Sequence, residues 1–155
     1  MKSPALVRFI AAIACGGALL TPCAAMAQAG PDPCKLLTPA EVSAAMGTKM
    51  SDGMPIANTG CSWNAAHLIA SFSYQLHVDW GKLKAPSLAP GLSKSSVSGV
   101  GDDAVFSIVQ GDKPFVSLSV KKGARIFMVR VYGVASVEDQ KRIEKTLASQ
   151  AAARL

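Results

Sequence analysis

Histidine, cysteine and aromatic residues are scarce in this chain, and their scarcity closes most routes to chemistry. Its 155 residues hold two histidines, His67 and His77, and four cysteines, with no C-x-x-C pair and no H-E-x-x-H. Ten residues of continuous strand would hold the two imidazoles roughly 33 Å apart, too far to share a metal or a proton. His77 and Asp79 are close in sequence, but two ligands fall short of the four or so a structural metal site takes. Neither Cys34 nor Cys61 has a histidine within five residues to activate its thiol. Gly99-Val100-Gly101 has no third glycine, and Asp102-Asp103 lacks the spaced acids and closing Glu of a calcium loop. No cofactor and no metal is implied.

Long hydrophobic runs, internal repeats and strong charge are missing as well. The apolar run at residues 9–20 covers 12 positions, whereas a membrane span needs about 20. It belongs to a secretory signal peptide over residues 1–27, with Lys2 and Arg8 as its only charges and Ala25-Met26-Ala27 as the cleavage site. Lipid attachment would need Cys15 or Cys23, and Ala12 and Pro22 ahead of them fit that signal poorly. Losing Lys2 and Arg8 takes the net charge from +6 to +4, too mild for a nucleic-acid footprint. What remains, residues 28–155, suits a single domain with no transmembrane segment.

Export leaves two cysteines, Cys34 and Cys61, in a compartment where disulfides persist, and they are expected to form one bridge. Just after Cys34, Thr38-Pro39-Ala40-Glu41 has the form of a capping box and Gly47 stands where a left-handed residue would end a helix. Val42, Ala45 and Met46 give that helix a short apolar stripe, and the bridge would pin it to the sheet.

Residues 67–80 carry the clearest periodicity. Leu68, Ala70, Phe72, Tyr74, Leu76, Val78 and Trp80 alternate with His67, Ile69, Ser71, Ser73, Gln75, His77 and Asp79, which predicts one long strand with an apolar and a wet face. Further strands are expected at 104–109, 115–121 and 125–132, with turns at 110–114 and 122–123, and at most one irregular edge strand within 48–60. Ser136 and Asp139 open a last helix with Val137, Ile143, Leu147 and Ala151 on one side. The predicted class is α+β: an antiparallel sheet of about five strands, with an N-terminal and a C-terminal helix packed on one face.

The segment DPCKLLTPAEVSAAMG, then Cys-Ser-Trp at 61–63, Gly-Val-Gly-Asp-Asp-Ala-Val at 99–105 and a strand ending in Lys-Lys-Gly resemble a domain-of-unknown-function family of small secreted bacterial proteins and lipoproteins. In that family a helix opening with Leu-Thr-x-x-Glu lies between two cysteines, the second followed by x-Trp. The resemblance spans most of the mature chain and implies a small envelope domain without an established reaction. The lipoproteins' attachment cysteine has no convincing counterpart here.

Two features are left over once the core is assigned. Residues 81–99 form an irregular stretch with Lys82, Lys84 and Lys94 and no acid between Asp79 and Asp102, a composition that attracts anionic groups. The wet sheet face gathers Ser71, Ser73, Gln75 and His77, then Ser117 and Ser119, with Arg130 and Tyr132 on the last strand. Together they indicate a non-catalytic binding module, exported to the periplasm or beyond. Its partner would be an envelope protein, a cell-wall component or a small ligand. The alternatives are a proteinaceous inhibitor or immunity factor for an envelope enzyme, and a small hydrolase using His77 with Asp79 as its orienter.

Overall fold

The computed structural model describes residues 30–112 and 114–155. The expected leader, with Cys15 and Cys23, lies outside them. No helix among the described residues is long and apolar enough to cross a membrane.

A short 3-10 turn, Pro33–Lys35, precedes helix α1, Pro39–Met46. The capping box forms as the sequence indicates: Thr38 Oγ1 accepts from the Glu41 N–H at 3.2 Å and Glu41 Oε2 accepts from the Thr38 N–H at 2.8 Å. Gly47 ends the helix at φ 70°, a conformation that favours glycine. Glu41 also receives the Arg154 guanidinium, with Nη1 2.9 Å from Oε2, and this bond holds its carboxyl at about 2. α1 therefore docks on the C-terminal helix α3, Val137–Ala152, rather than on the sheet.

Among the described residues, seven strands form one antiparallel sheet: β1 Met54–Ile56, β2 Gly60–Ala65, β3 Leu68–Tyr74, β4 Leu92–Val97, β5 Asp103–Val109, β6 Phe115–Lys122 and β7 Arg125–Tyr132, in the order β1-β2-β3-β7-β6-β5-β4. The expectation of about five strands falls short because β2 and β4 carry no usable period. In β2, Gly60 to Trp63 are buried on both faces, while β4 is an edge strand whose middle is Ser-Lys-Ser-Ser. Cys34 and Cys61 lie at disulfide distance, 2.00 Å between sulfurs and 5.1 Å between Cα atoms. The pairing fastens the 3-10 turn, and not the helix itself, to buried β2.

The first face of the sheet is the core. One row runs Cys61, Phe72, Val129, Leu118, Phe106 across five strands, and a parallel row runs Tyr74, Phe127, Val120, Ala104. α3 lies over β6 and β7 and buries Ile143, Leu147, Ala148 and Ala151 against them. It also mends the sheet. Pairing between β6 and β7 stops at Leu118 and Val129, and beyond that point the Val116 N–H donates to Gln140 Oε1 and the Val131 N–H to Glu144 Oε1, each at 3.1 Å. Two α3 side chains one turn apart thus replace the missing ladder. Glu144 has no exposed surface, and that desolvation pushes its carboxyl up to about 8.

The long strand predicted over residues 67–80 is shorter in the structure. β3 ends at Tyr74, the Gln75 N–H donates to the Ile126 carbonyl at 2.8 Å, and His77 sits in a left-handed turn at φ 58°. Asp79 then caps a five-residue helix, α2 Trp80–Lys84, its Oδ1 accepting from the Lys82 N–H at 2.9 Å. An N-cap overrides a few further residues of alternation. The segment crosses to β4 over the second face, so the helices do not all share one face: α3 covers the first, α1 rests on α3, and α2 lies opposite.

Phe72→Ala should lower unfolding free energy by about 3–5 kcal/mol in chemical denaturation. Leu76→Ala, at a side chain 58% exposed beyond the strand, and Ser73→Ala should each stay within about 0.5 kcal/mol. Because the folded carboxyl of Glu144 titrates near 8 and an unfolded one near 4.5, its contribution is complete below about pH 4.5 and is lost as the pH rises to about 8. Glu144→Gln should flatten that decline and raise stability at pH 8, read from denaturation midpoints across the series.

Candidate functional site

The second face of the sheet is not the uniform wet surface its residues imply. Ser71 and Ser73 do point there, half-buried, with Ser71 Oγ 3.4 Å from the Arg130 carbonyl and Gln75 Nε2 donating to Ser73 Oγ at 3.1 Å. Ser117 and Ser119, by contrast, are each 4% exposed, and Ser119 is flanked across the strands by Met128 and Val105. These two serines are not available to a ligand. Arg130 lies over the Phe115 ring at 5.7 Å and its Nη1 is 3.4 Å from the Tyr132 hydroxyl, so its charge is partly occupied within the protein. The rim of this face is apolar, with Met54, Ile56 and Ile69 exposed around the serines.

His77 does not join these residues. It is exposed in the turn after β3, and Asp79, its expected orienter, is engaged as the α2 cap. The geometry behind a His77–Asp79 base, two side chains on one strand face, is therefore absent. Among the described residues no group of three or more His, Cys, Asp or Glu is placed to hold a metal.

The basic stretch is more organised than a mobile loop. Residues 80–84 are α2 and residues 92–97 are β4, so only its middle and its end remain irregular. Three bonds lay it on the sheet. The Trp80 indole donates to Asp103 Oδ2 at 3.0 Å, the Lys84 ammonium to the same oxygen at 2.7 Å, and the Lys94 ammonium to the Leu83 carbonyl. The Lys84 bond, then that of Trp80, holds the Asp103 carboxyl below the usual aspartate range. Lys84 thus has an acidic partner that the sequence places 19 residues away, and the three lysines are not a patch free of counter-charge.

Between this arm and the sheet lies a cavity of about 400 Å³, lined by Lys84, Pro86, Ser87, Leu92 to Ser96 and Val105. Two of the three candidate lysines, Lys84 and Lys94, line it, while Lys82 remains exposed on α2. Each ammonium has three donors, and the internal bonds named here use one apiece. The site can therefore accept carboxylate or phosphate oxygens, with Ser96 on the same sheet face as Lys94 and Ser87 on the arm. Sequence reasoning did not single out Asp103, Ser87, Ser93, Ser95 and Ser96. The alternation of Lys94 and Ser96 against Ser93 and Ser95 has no hydrophobic contrast to mark it as a strand.

Compared with known proteins, the chain matches no family model, no curated protein and no solved structure.

Asp103→Ala should free the arm while the core stays folded. In an amide spectrum the Trp80 indole N–H signal should move to the position of an unfolded chain, and that of fully buried Trp63 should hold its place.

Proposed function

We propose that the chain is an exported, non-catalytic binding module of the bacterial envelope that takes an anionic ligand in the cleft between α2 and β4. The observation that carries this reading is the convergence of Lys84 and Lys94 on one serine-lined cavity, held open by a structured arm. Export is supported by the leader-like N-terminal sequence and by a cysteine pair at bonding distance, which persists in an oxidising compartment. The resemblance to small secreted bacterial domains and lipoproteins points the same way. A carboxylate-bearing cell-wall component, a small anion or an acidic protein segment fits the donors present.

The inhibitor reading stays second because of one side chain. Leu88 is 99% exposed on the arm between Pro86 and Pro90, as an anchor offered to another protein would be.

The test is an amide-shift titration with dicarboxylates, cell-wall fragments and acidic peptides. Shifts should centre on Lys84 and residues 92–96, and should weaken as salt rises because the Debye length shrinks below about 10 Å. Replacing Lys82, Lys84 and Lys94 together by Ser should abolish them, and His77→Ala should not. Dependence on His77, or turnover of any probe, would overturn the reading. Partner binding lost on Leu88→Ser but indifferent to the lysines would favour the inhibitor.

A further inference from the structure

We infer, resting on the cleft reading above, that the ligand is an extended acidic peptide segment that adds to β4 as an eighth strand. The sheet ends in two edges, and they are not equally closed. At one end β1 has three residues, and Pro55 in its middle has no N–H to offer. At the other end β4 has six residues and no proline.

The backbone of β4 shows which groups are free. The Gln110 N–H donates to the Gly91 carbonyl at 2.7 Å, which makes these two a hydrogen-bonded pair in line with the β4–β5 register. Alternation from that pair sets Ser93, Ser95 and Val97 bonding to β5. Lys94 and Ser96 then turn their N–H and C=O groups outward, and no backbone group among the described residues takes them. The same stretch, residues 92–96, lines the cavity without a gap, residues of both faces alike, so the cavity follows the open edge of the strand.

A strand laid along this edge would place the residue opposite Lys94 on the second face, about 5 Å away, toward the space lined by Lys84 and Ser87. A carboxylate there would meet both ammoniums. Main-chain bonds would supply affinity and the cavity would choose the side chain. Asp103 takes one donor of Lys84, while Lys94 pairs with no carboxylate among the described residues.

Charge also decides between an acidic segment and a second copy of the chain. Two β4 strands meeting antiparallel about their middle would set Lys94 opposite or diagonal to its own copy, and like charges so placed repel. Lys94 disfavours self-pairing and favours a chain carrying Glu or Asp.

The probe is a peptide of about eight residues alternating Val and Glu, titrated into isotopically labelled protein. Amide shifts at residues 92–97 are expected, with affinity falling at least about tenfold in each of three cases: Glu exchanged for Gln in the peptide, methylation of the peptide N–H groups that would face β4, and Ser96→Pro in the protein. Methylating the opposite edge of the peptide should be tolerated, and these peptide changes leave the protein untouched should Ser96→Pro misfold. Equal binding of both methylated peptides would overturn strand addition while leaving the anionic cleft standing. Absence of shifts at 92–97 with about 1 mM peptide would overturn it too, as would a dimer of the chain lost on Ser96→Pro. If dicarboxylates and cell-wall fragments also left the cavity residues unmoved, the cleft reading would fall with it.

Discussion

The cleft beside β4 depends on the path the chain takes from β3 to β4, and Asp103 holds that path against the sheet. Strand order sends the chain from Tyr74 past β7, β6 and β5 to the far edge, a crossing of 17 residues between the two strands. A single carboxylate oxygen receives both the Trp80 indole and the Lys84 ammonium. That pair of hydrogen bonds lays α2 over the second face and raises a cleft beside the edge strand. Lys94 completes the attachment by donating to the Leu83 carbonyl near the end of α2, where helix carbonyls lack partners of their own. The Lys84–Asp103 bond is exposed and the Trp80 and Lys94 bonds are partly buried, so the arm is held by a few polar bonds near the surface.

The opposite face is built on different terms. There the core rows and α3 are buried, and the polar groups admitted, Gln140 and Glu144, bond backbone amides that the parting of β6 and β7 would otherwise leave unpaired. Arg154, just past the end of α3, reaches the Leu36 carbonyl and Glu41, and Cys34 meets Cys61 nearby in the chain's path, so the N-terminal segment is held from two directions.

The sequence was legible where burial imposed a period. Phe72 and Tyr74, Phe127 to Val131, the Thr38–Glu41 box and the Ile143, Leu147, Ala151 stripe all declared their elements. It misled where periodicity outran the element, since Leu76, Val78 and Trp80 extend the alternation of β3 into a turn and a helix that Asp79 initiates. It was silent where no contrast exists: β4, a serine-rich edge, is defined by its pairing with β5. The candidate site was half legible. Lys84 and Lys94 stood out as cations without nearby acids, but the Asp103 that organises them is distant in sequence.

The most direct measurement of the central claim is residue-by-residue amide hydrogen exchange along β4. With β4 as an open edge, the Ser93 and Ser95 amides, which bond to β5, should be protected in the free protein, while those of Lys94 and Ser96 should exchange quickly and become protected when an acidic strand is added. Protection of Lys94 and Ser96 equal to that of Ser93 and Ser95 before any ligand is present would show the edge already closed, and would contradict the account.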